Sequence, residues 1–409
     1  MERIKLLIGR IAGSLWFMPA LYAAGAIALV FAAPLAEFII PDVLADAIEE
    51  DALRTILNVL SSSLLAVTIF SLTTMATSLK AVSDAATPRA RPILIQGGNA
   101  QNAIATFLGA FIFSMIGLVA LNSGILGAGG EAVLFALTIL ATLMVVVVLI
   151  QWIRQLSTLG DVEDAISKVE SATQEAFKAL ACLPPSADRS ALGKGGPLVL
   201  RADRPGYVQM IDLRSLDEAA GRLGATVEVL ALPGERCGPA LDLARVYGAD
   251  SADAAQRLLP CFVRGNVRTL EADPRLGLTA LSEIGSRALS PGVNDPGTAV
   301  SAIRALERCF AGWDKASGKD NPGPALERVV YPSLDASGAL RDPVIALARD
   351  GAGQLEVMRA LGELCAAAGS LDALDLEEEA GVLKSEIMER ASAAMAHKSD
   401  IVRLTDAIG

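Results

Sequence analysis

Residues Ala132–Ile153 read AVLFALTILATLMVVVVLIQWI and contain no charged side chain. At about 1.5 Å of rise per residue, a helix over this stretch can cross the ~30 Å hydrocarbon core of a bilayer. A buried helix of a soluble protein usually has a polar face, whereas the polar side chains here are Thr138, Thr142 and Gln151. The stretch therefore predicts a transmembrane helix. The charged sequence after it indicates that a soluble part follows.

Three more apolar stretches precede this one, so the sequence predicts four transmembrane helices. They are Leu15–Ala36, Leu57–Leu79 and Ile104–Leu121. Basic residues occur in the N-terminal segment, in the loop of residues 80–103 and at Arg154, whereas the other two loops have Arg54 as their only cation. By the positive-inside rule, both termini are expected in the cytoplasm and the protein in a bacterial inner membrane.

The composition narrows the possible functions. The chain has 409 residues and a net charge of −11, and without a long basic run this argues against nucleic-acid binding. All five cysteines follow residue 154 and form no CxxC pair, which fits a reducing compartment. Since His397 is the only histidine, a histidine metal site or a Ser-His-Asp relay is nearly excluded. We expect no metal and no cofactor.

The expected fold is a membrane α-helical domain of four transmembrane helices over residues 1–154, followed by a cytoplasmic α+β domain over residues 198–409 with a helical C-terminal part. Between them, residues 155–183 form a helical connector and residues 184–197 a linker. The connector has small or apolar residues at alternating spacings of three and four, from Leu159 to Leu180, which is typical of a coiled coil. This seam can serve self-association into a homo-oligomer or packing on the chain's own soluble domain.

In the soluble part, alternating apolar residues predict strands and helical periodicity predicts helices. The predicted strands are Gly206–Ile211, Ala225–Leu230, Ala240–Val246, Phe262–Asn266 and, at an edge, Arg328–Leu334. The predicted helices are Ser215–Gly224, Pro274–Leu289, Pro296–Cys309 and, approximately, Pro343–Ala368 and Leu371–His397.

The most distinctive block of the soluble part is residues 263–309, where the turn Ser290–Asp295 joins two predicted helices. Asp295 suits an N-cap with Pro296 at the first helical position, so helix-hairpin stereochemistry can explain this turn. The functional interpretation groups six polar residues as a ligand-binding site: Arg268, Asp273, Glu283, Arg287, Asn294 and Asp295. No nucleophile–base pair is present, so no catalytic residue is assigned and an enzyme is the least favoured class.

The second predicted span is unusually rich in hydroxyl groups. These groups can bond to carbonyls one turn back or allow close helix packing. Alternatively, four polar residues broadly on one face line a polar path in an oligomer: Asn58, Ser62, Thr73 and Thr77. No charged residue lies at mid-membrane, so a proton relay or a paired-ion transporter site is not supported.

Several elements of the chain resemble a family of bacterial membrane proteins known as domain of unknown function 2254. They are the string TPR at Thr87–Arg89, the glycine turn at Gly234, Gly265, Arg268-Thr269, Asp273 and the specific string ALSPGVNDPGTA at Ala288–Ala299. The sequence departs from the family pattern where an aromatic is usual near Leu276 and Gly277, and Glu283 stands where Asp is usual. The resemblance implies the architecture and leaves the function open, because the family has no assigned activity to carry over.

Two functions of different classes fit these observations. The first is a homo-oligomeric inner-membrane channel or conduit that is gated by its cytoplasmic domain. The alternative is a membrane-anchored ligand sensor or scaffold without conductance, built on the residues from Arg268 to Asp295. Both place the protein in a lipid bilayer, and neither specifies the ion or small ligand.

Overall fold

The computed structural model describes residues 20, 21, 23–25, 27, 28, 50–85, 89, 99–156, 161–193, 196–249, 252–318 and 324–408. The chain divides into two compact units. The membrane unit comprises Met1–Val82 and Ile95–Asp161, and the α+β unit comprises Ser83–Leu94 and Val162–Gly409. Most of the first predicted span, Leu15–Ala36, lies outside the described residues.

Among its described residues, the membrane unit contains three long apolar helices: α1 (Glu50–Ala85), α2 (Asn99–Asn122) and α3 (Ala128–Leu156). Each is long and apolar enough to cross a membrane. The candidate spans are Asp51–Ser78, Asn102–Asn122 and Gly129–Arg154. They confirm the second, third and fourth predicted spans as membrane-length helices.

The three helices pack through two clusters of buried apolar side chains. One cluster contains Leu53, Leu57, Phe113, Leu121, Leu126 and Leu134. The other contains Leu64, Met75, Ala103, Phe107, Ala110, Val145 and Trp152. Both clusters draw residues from all three helices, so α1 turns its apolar face toward α2 and α3.

The α+β unit contains two small sheets. The strands are β1 (Leu198–Arg201), β2 (Gly206–Ile211), β3 (Thr226–Val229), β4 (Arg236–Cys237), β5 (Asp242–Tyr247), β6 (Phe262–Gly265) and β7 (Val329–Val330). One sheet has the order β1-β5-β3-β7 and the other β4-β2-β6. Neighbouring strands are antiparallel except β3 and β7, which are parallel. The predicted strands are confirmed in position, whereas β1 and β4 were not predicted.

Helix α5 (Leu213–Leu223) connects β2 to β3 and covers the core with its apolar side. It begins where the Asp212 carboxylate accepts a hydrogen bond from the Ser215 amide at 3.0 Å, and it ends at Gly224, whose φ is 63°. On the same helix, the Asp217 carboxylate accepts hydrogen bonds from the amides of Arg328 and Val329 at 2.8 and 3.1 Å. These bonds hold the short strand β7 at the edge of its sheet.

The remaining elements of the α+β unit are helices: α4 (Val162–Ala181), α6 (Ala252–Leu258), α7 (Pro274–Ala288), α8 (Pro296–Ser317), α9 (Ala336–Asp350), α10 (Leu355–Gly369), α11 (Glu377–Ala394) and α12 (Lys398–Ile408). The predicted helix Pro343–Ala368 is in fact two helices, because α9 ends at a glycine cap, Gly351, and Pro343 lies inside it. The prediction for Leu371–His397 began too early, since α11 starts at Glu377.

The seam of the connector helix α4 is covered within the same chain. Its buried residues are Ala165, Ile166, Val169, Thr173, Ala176 and Phe177. They pack against α7 and α8, and the Phe177 ring stacks on Trp313 with centroids 4.5 Å apart. The Arg308 guanidinium donates to both carboxylate oxygens of Glu170, at 2.7 and 2.6 Å. Of the two possibilities for the seam, packing on the chain's own domain is therefore the one observed.

Helices α4 and α7 approach each other closely at Gly277. A Cβ atom at this position would overlap Thr173 Oγ1, so the two backbones can come this near only with glycine here. Gly312 on α8 also faces α4, but a Cβ there would meet Gln174 Cγ at 3.5 Å, an ordinary contact.

We predict that Gly277→Ala lowers the melting temperature of the detergent-solubilised protein, because overpacking of a helix contact destabilises by about 1–3 kcal/mol. The matched control is Gly312→Ala. Both substitutions add the same helix propensity, roughly 1 kcal/mol, but only the first adds a clash. Equal melting temperatures for the two variants would show that the α4–α7 contact is not as close as described.

Candidate functional site

The six residues predicted as one ligand-binding site occupy three separate places in the α+β unit. Arg268 and Asp273 precede α7, Glu283 and Arg287 lie on it, and Asn294 and Asp295 follow it. Helix α7 has 15 residues, so its two ends are about 22 Å apart. A single small ligand cannot contact both ends of the helix.

At the start of α7, the Asp273 carboxylate is 1 % exposed and binds two arginines. Arg268 Nε donates to Asp273 Oδ2 at 2.7 Å, and Arg268 Nη2 lies 2.7 Å from the same oxygen. Arg275 Nε lies 3.5 Å from Oδ1, and Arg275 Nη2 donates to the Pro233 carbonyl at 3.0 Å. Burial raises the pKa of Asp273, and the two arginines act in the opposite direction.

The turn before β4 packs directly against this carboxylate. Gly234 has a φ of 88°, and a Cβ atom there would overlap the Asp273 carboxylate. Next to it, Glu235 Oε1 lies 3.7 Å from Arg275 Nη1. We call Arg268, Asp273, Arg275 and Glu235 the Asp273 cluster. Its two positive and two negative charges balance, so its evident role is to fasten the turn to α7.

Glu283 takes part in a different contact. It forms an ion pair with Arg89, which belongs to the segment Ser83–Leu94 of the α+β unit. The Glu283 side chain is 27 % exposed and that of Arg89 is 57 % exposed. This pair therefore ties Arg89, which lies between α1 and α2 in the sequence, to helix α7. Arg287, one turn further along α7, is exposed.

The turn after α7 is held by its own hydrogen bonds. Asn294 has a φ of 52°, and the Asp295 amide donates to the Ala288 carbonyl at 2.8 Å. The Asp295 carboxylate accepts from the Thr298 amide at 3.1 Å and from the Thr298 hydroxyl at 2.6 Å. These bonds lower the pKa of Asp295. Helix-hairpin stereochemistry thus accounts for both residues, as an N-cap and a left-handed turn.

In the described part of the chain, no group of three or more His, Cys, Asp or Glu side chains could hold a metal ion. The Asp273 cluster also contains no nucleophile next to a base. What the α+β unit offers in this region is a set of balanced ion pairs that join α7 to its surroundings.

In the membrane unit, the predicted pore-lining residues share one side of α1. Asn58, Ser62, Thr73 and Thr77 are all exposed. At about 100° per residue they fall within an arc of about 100°. The opposite side of α1 carries the buried residues of the two apolar clusters. We call this exposed arc the polar face of α1.

Hydroxyl groups on the polar face donate to backbone carbonyls one turn back. Ser62 Oγ donates to the Asn58 carbonyl, Thr73 Oγ1 to Ile69 and Thr77 Oγ1 to Thr73, each at 2.9 Å. The first interpretation of the hydroxyl-rich span is therefore confirmed. It does not conflict with a polar path, because the oxygen atoms still face outward.

Large apolar side chains are also exposed on α1, among them Val59, Ile69 and Phe70, but the exposed side of α3 carries them almost throughout. Its exposed large residues are Ile139, Leu140, Leu143, Met144, Val146, Val147, Ile150 and Ile153. Such a surface is suited to lipid chains, whereas the polar face of α1 is not.

The profile of a family described as "Predicted membrane protein (DUF2254)" matches residues 12–367. The chain belongs to this family. Proteins of Mycobacterium bovis and of Mycobacterium tuberculosis strains H37Rv and CDC 1551, each named as uncharacterised, are 29 % identical over 191 residues. The matched segment covers 44 % of this chain and 34 % of each relative, so the chain spans about a third of their length. No solved structure matches the chain.

The elements that resemble the DUF2254 family meet in the structure although they are far apart in sequence. Gly234 lies against Asp273, Asp273 binds Arg268, and Arg89 of the TPR string pairs with Glu283. Sequence reasoning missed Arg275 and Glu235, because neither position stands out by spacing or residue type. Only the packing of the Gly234 turn on α7 brings them together.

We predict that Gly234→Ala destabilises the protein more than Gly224→Ala does. Both glycines have positive φ, so alanine introduces a similar backbone strain of about 1–2 kcal/mol at either position. At Gly224 a Cβ atom meets nothing within 4 Å, whereas at Gly234 it overlaps Asp273. Thermal unfolding of the two purified variants measures the difference. If Gly224→Ala lowers the melting temperature by as much as Gly234→Ala, the Gly234 turn does not pack against the Asp273 carboxylate.

Proposed function

We propose that this DUF2254-family protein is a homo-oligomeric conduit in the bacterial inner membrane, gated by its α+β unit. The observation that supports this proposal most strongly is the polar face of α1. Moving an amide or hydroxyl group from water into lipid without a hydrogen-bond partner is unfavourable. The free-energy cost is roughly 4–8 kcal/mol in a solvent that cannot hydrogen-bond. Polar residues of transmembrane segments therefore face a bundle interior or water.

Asn58 is the residue of the polar face that most needs a polar environment. Its carboxamide is exposed and has no hydrogen-bond partner among the described residues. An amide can form up to four hydrogen bonds, and hydrocarbon supplies none. Copies of the chain arranged with α1 toward a common axis would give Asn58 water or a neighbouring copy, while the apolar side of α3 faces lipid.

The proposed topology has four spans with both termini in the cytoplasm. Lys80, Arg89 and Arg154 lie on the cytoplasmic side in this arrangement, in agreement with the positive-inside rule. The cysteines of the α+β unit are free, which fits a reducing compartment. The short connection between α2 and α3, residues 123–127, is then periplasmic.

Gating by the α+β unit is supported by chain connectivity. The segment Ser83–Leu94 begins in the last turn of α1 and belongs to the α+β unit, where its Arg89 pairs with Glu283. A movement of α7 would therefore be passed to the end of α1 through the chain itself. The Asp273 cluster gives less support to a ligand sensor, because its charges are already balanced.

We predict that cysteines on the polar face of α1 cross-link between copies. In a Cys182→Ser background, which removes the exposed native thiol, Ser62→Cys should form dimers on oxidation in membranes. The matched control is Leu143→Cys on the exposed apolar side of α3, which should remain monomeric. Cross-linking only through position 143 would place α3, and not α1, at the interface between copies and would contradict the proposed arrangement.

Planar-bilayer recording of the purified protein tests conduction itself. We expect ion currents that fall several-fold in Thr73→Leu, because a bulky apolar group narrows and dries the path, and that persist in Leu143→Ala. The absence of current over a range of ions and membrane tensions would contradict the conduit.

The topology is tested with a membrane-impermeant thiol reagent on spheroplasts. Ser123→Cys, in the exposed connection between α2 and α3, should be labelled, whereas the exposed native Cys182 should be labelled only after lysis. The opposite pattern would invert the proposed orientation.

A further inference from the structure

We infer that the polar face of α1 is selective for cations and other hydrogen-bond donors and discriminates against anions. The inference rests on the proposed conduit and names the class of solute that it would pass. It comes from the direction of the hydrogen bonds on this face, which determines whether hydrogens or lone pairs point outward.

The hydroxyl hydrogens of the polar face are already donated to backbone carbonyls. Thr55 Oγ1 donates to the Asp51 carbonyl at 2.7 Å, and Ser62, Thr73 and Thr77 donate to their own carbonyls at 2.9 Å. A carbonyl cannot donate, so the hydroxyl must supply the hydrogen in each bond. Since a hydroxyl has one hydrogen and two lone pairs, these four hydroxyls offer only acceptor sites to a solute, whereas the Asn58 carboxamide offers donors as well as an acceptor.

These acceptors form two bands along the helix. Thr55 and Ser62 make one band, which also contains the Asn58 carboxamide with its donors, and Thr73 and Thr77 make the other, which has acceptors only. From Thr55 to Thr77 the rise is about 33 Å, which matches the thickness of the hydrocarbon core. Between the bands the face consists of small or apolar exposed residues such as Ala66 and Ile69. A solute crossing this middle part would keep its water and exchange it for hydroxyl oxygens at each band.

Three charged side chains lie on or beside the face. Asp51 is exposed at the first turn of the candidate span and adds a negative charge to the outer band. Arg54 lies at the flank of the arc, is half-buried and already interacts with another group. Lys80 lies beyond the end of the span at Ser78, where its long side chain can place the ammonium group in water.

Thiol reactivity at Ala66→Cys tests the inference without requiring a current. Ala66 is exposed between the two bands, and its replacement leaves every hydroxyl in place. In the Cys182→Ser background, cationic and anionic methanethiosulfonates of similar size are applied to reconstituted protein from both sides. Each rate is normalised to the rate of the same reagent with a small thiol in solution.

We expect the cationic reagent to react about tenfold faster after normalisation, since one hydrogen bond to a charged group is worth roughly that factor. Thr73→Val combined with Thr77→Val should reduce this preference, because valine keeps the shape and removes the acceptors. Leu143→Cys, on the apolar side of α3, should react with neither reagent.

The outcomes separate the inference from the function on which it rests. An anionic rate equal to or above the cationic rate overturns the selectivity and leaves the conduit standing. An unchanged preference in the double valine variant shows that the hydroxyls are not its source, which also overturns the inference. If neither reagent reacts in correctly inserted protein, the face is dry and the proposed conduit itself fails.

Discussion

The interior of a bilayer offers no hydrogen-bond partner, and this constraint shapes α1 more than any other part of the protein. Its hydroxyl groups donate to carbonyls of their own helix, so they can exist at membrane depth without a second protein surface. Asn58 cannot satisfy its amide in this way, and it lies on the same exposed arc as the hydroxyl oxygens. The apolar side of the same helix is already used to bind α2 and α3. The polar face thus requires water or another polar surface, and both proposals follow from that requirement.

In the α+β unit, helix α7 is the element on which the other parts converge. Its start is fastened to the Gly234 turn through the Asp273 cluster, and its Gly277 allows α4 to approach closely. Further along, Glu283 binds Arg89 from the segment between the first two described membrane helices. Both routes by which the chain passes between the two units, through α4 and through Ser83–Leu94, therefore involve contacts with one helix. The proposed gating is therefore expected to depend on α7.

Much of the fold could be predicted from the sequence, because its strongest signals are local. The membrane-length helices follow from unbroken apolar runs, and β2, β3, β5 and β6 follow from alternation between turn residues. The short strands β1 and β4 and the division of the C-terminal helices escaped prediction. Strand β4 has only two residues and β1 directly follows the segment predicted as a linker, and the break at Gly351 depends on how α9 and α10 pack. The six-residue ligand site was grouped by sequence proximity, yet α7 holds its two ends about 22 Å apart.

By itself, the sequence determined that this chain has membrane-length helices followed by an α+β region, since burial of apolar runs in lipid and cap residues such as Asp295 act within a few turns. The tertiary structure alone decided which partner each face receives. The same three-and-four spacing in α4 would suit a second copy or the chain's own helices, and the close approach of Thr173 to Gly277 selects the latter. Likewise, Arg275 and Glu235 join Asp273 only because a distant turn folds onto α7, and such long-range contacts leave no periodic trace in the chain.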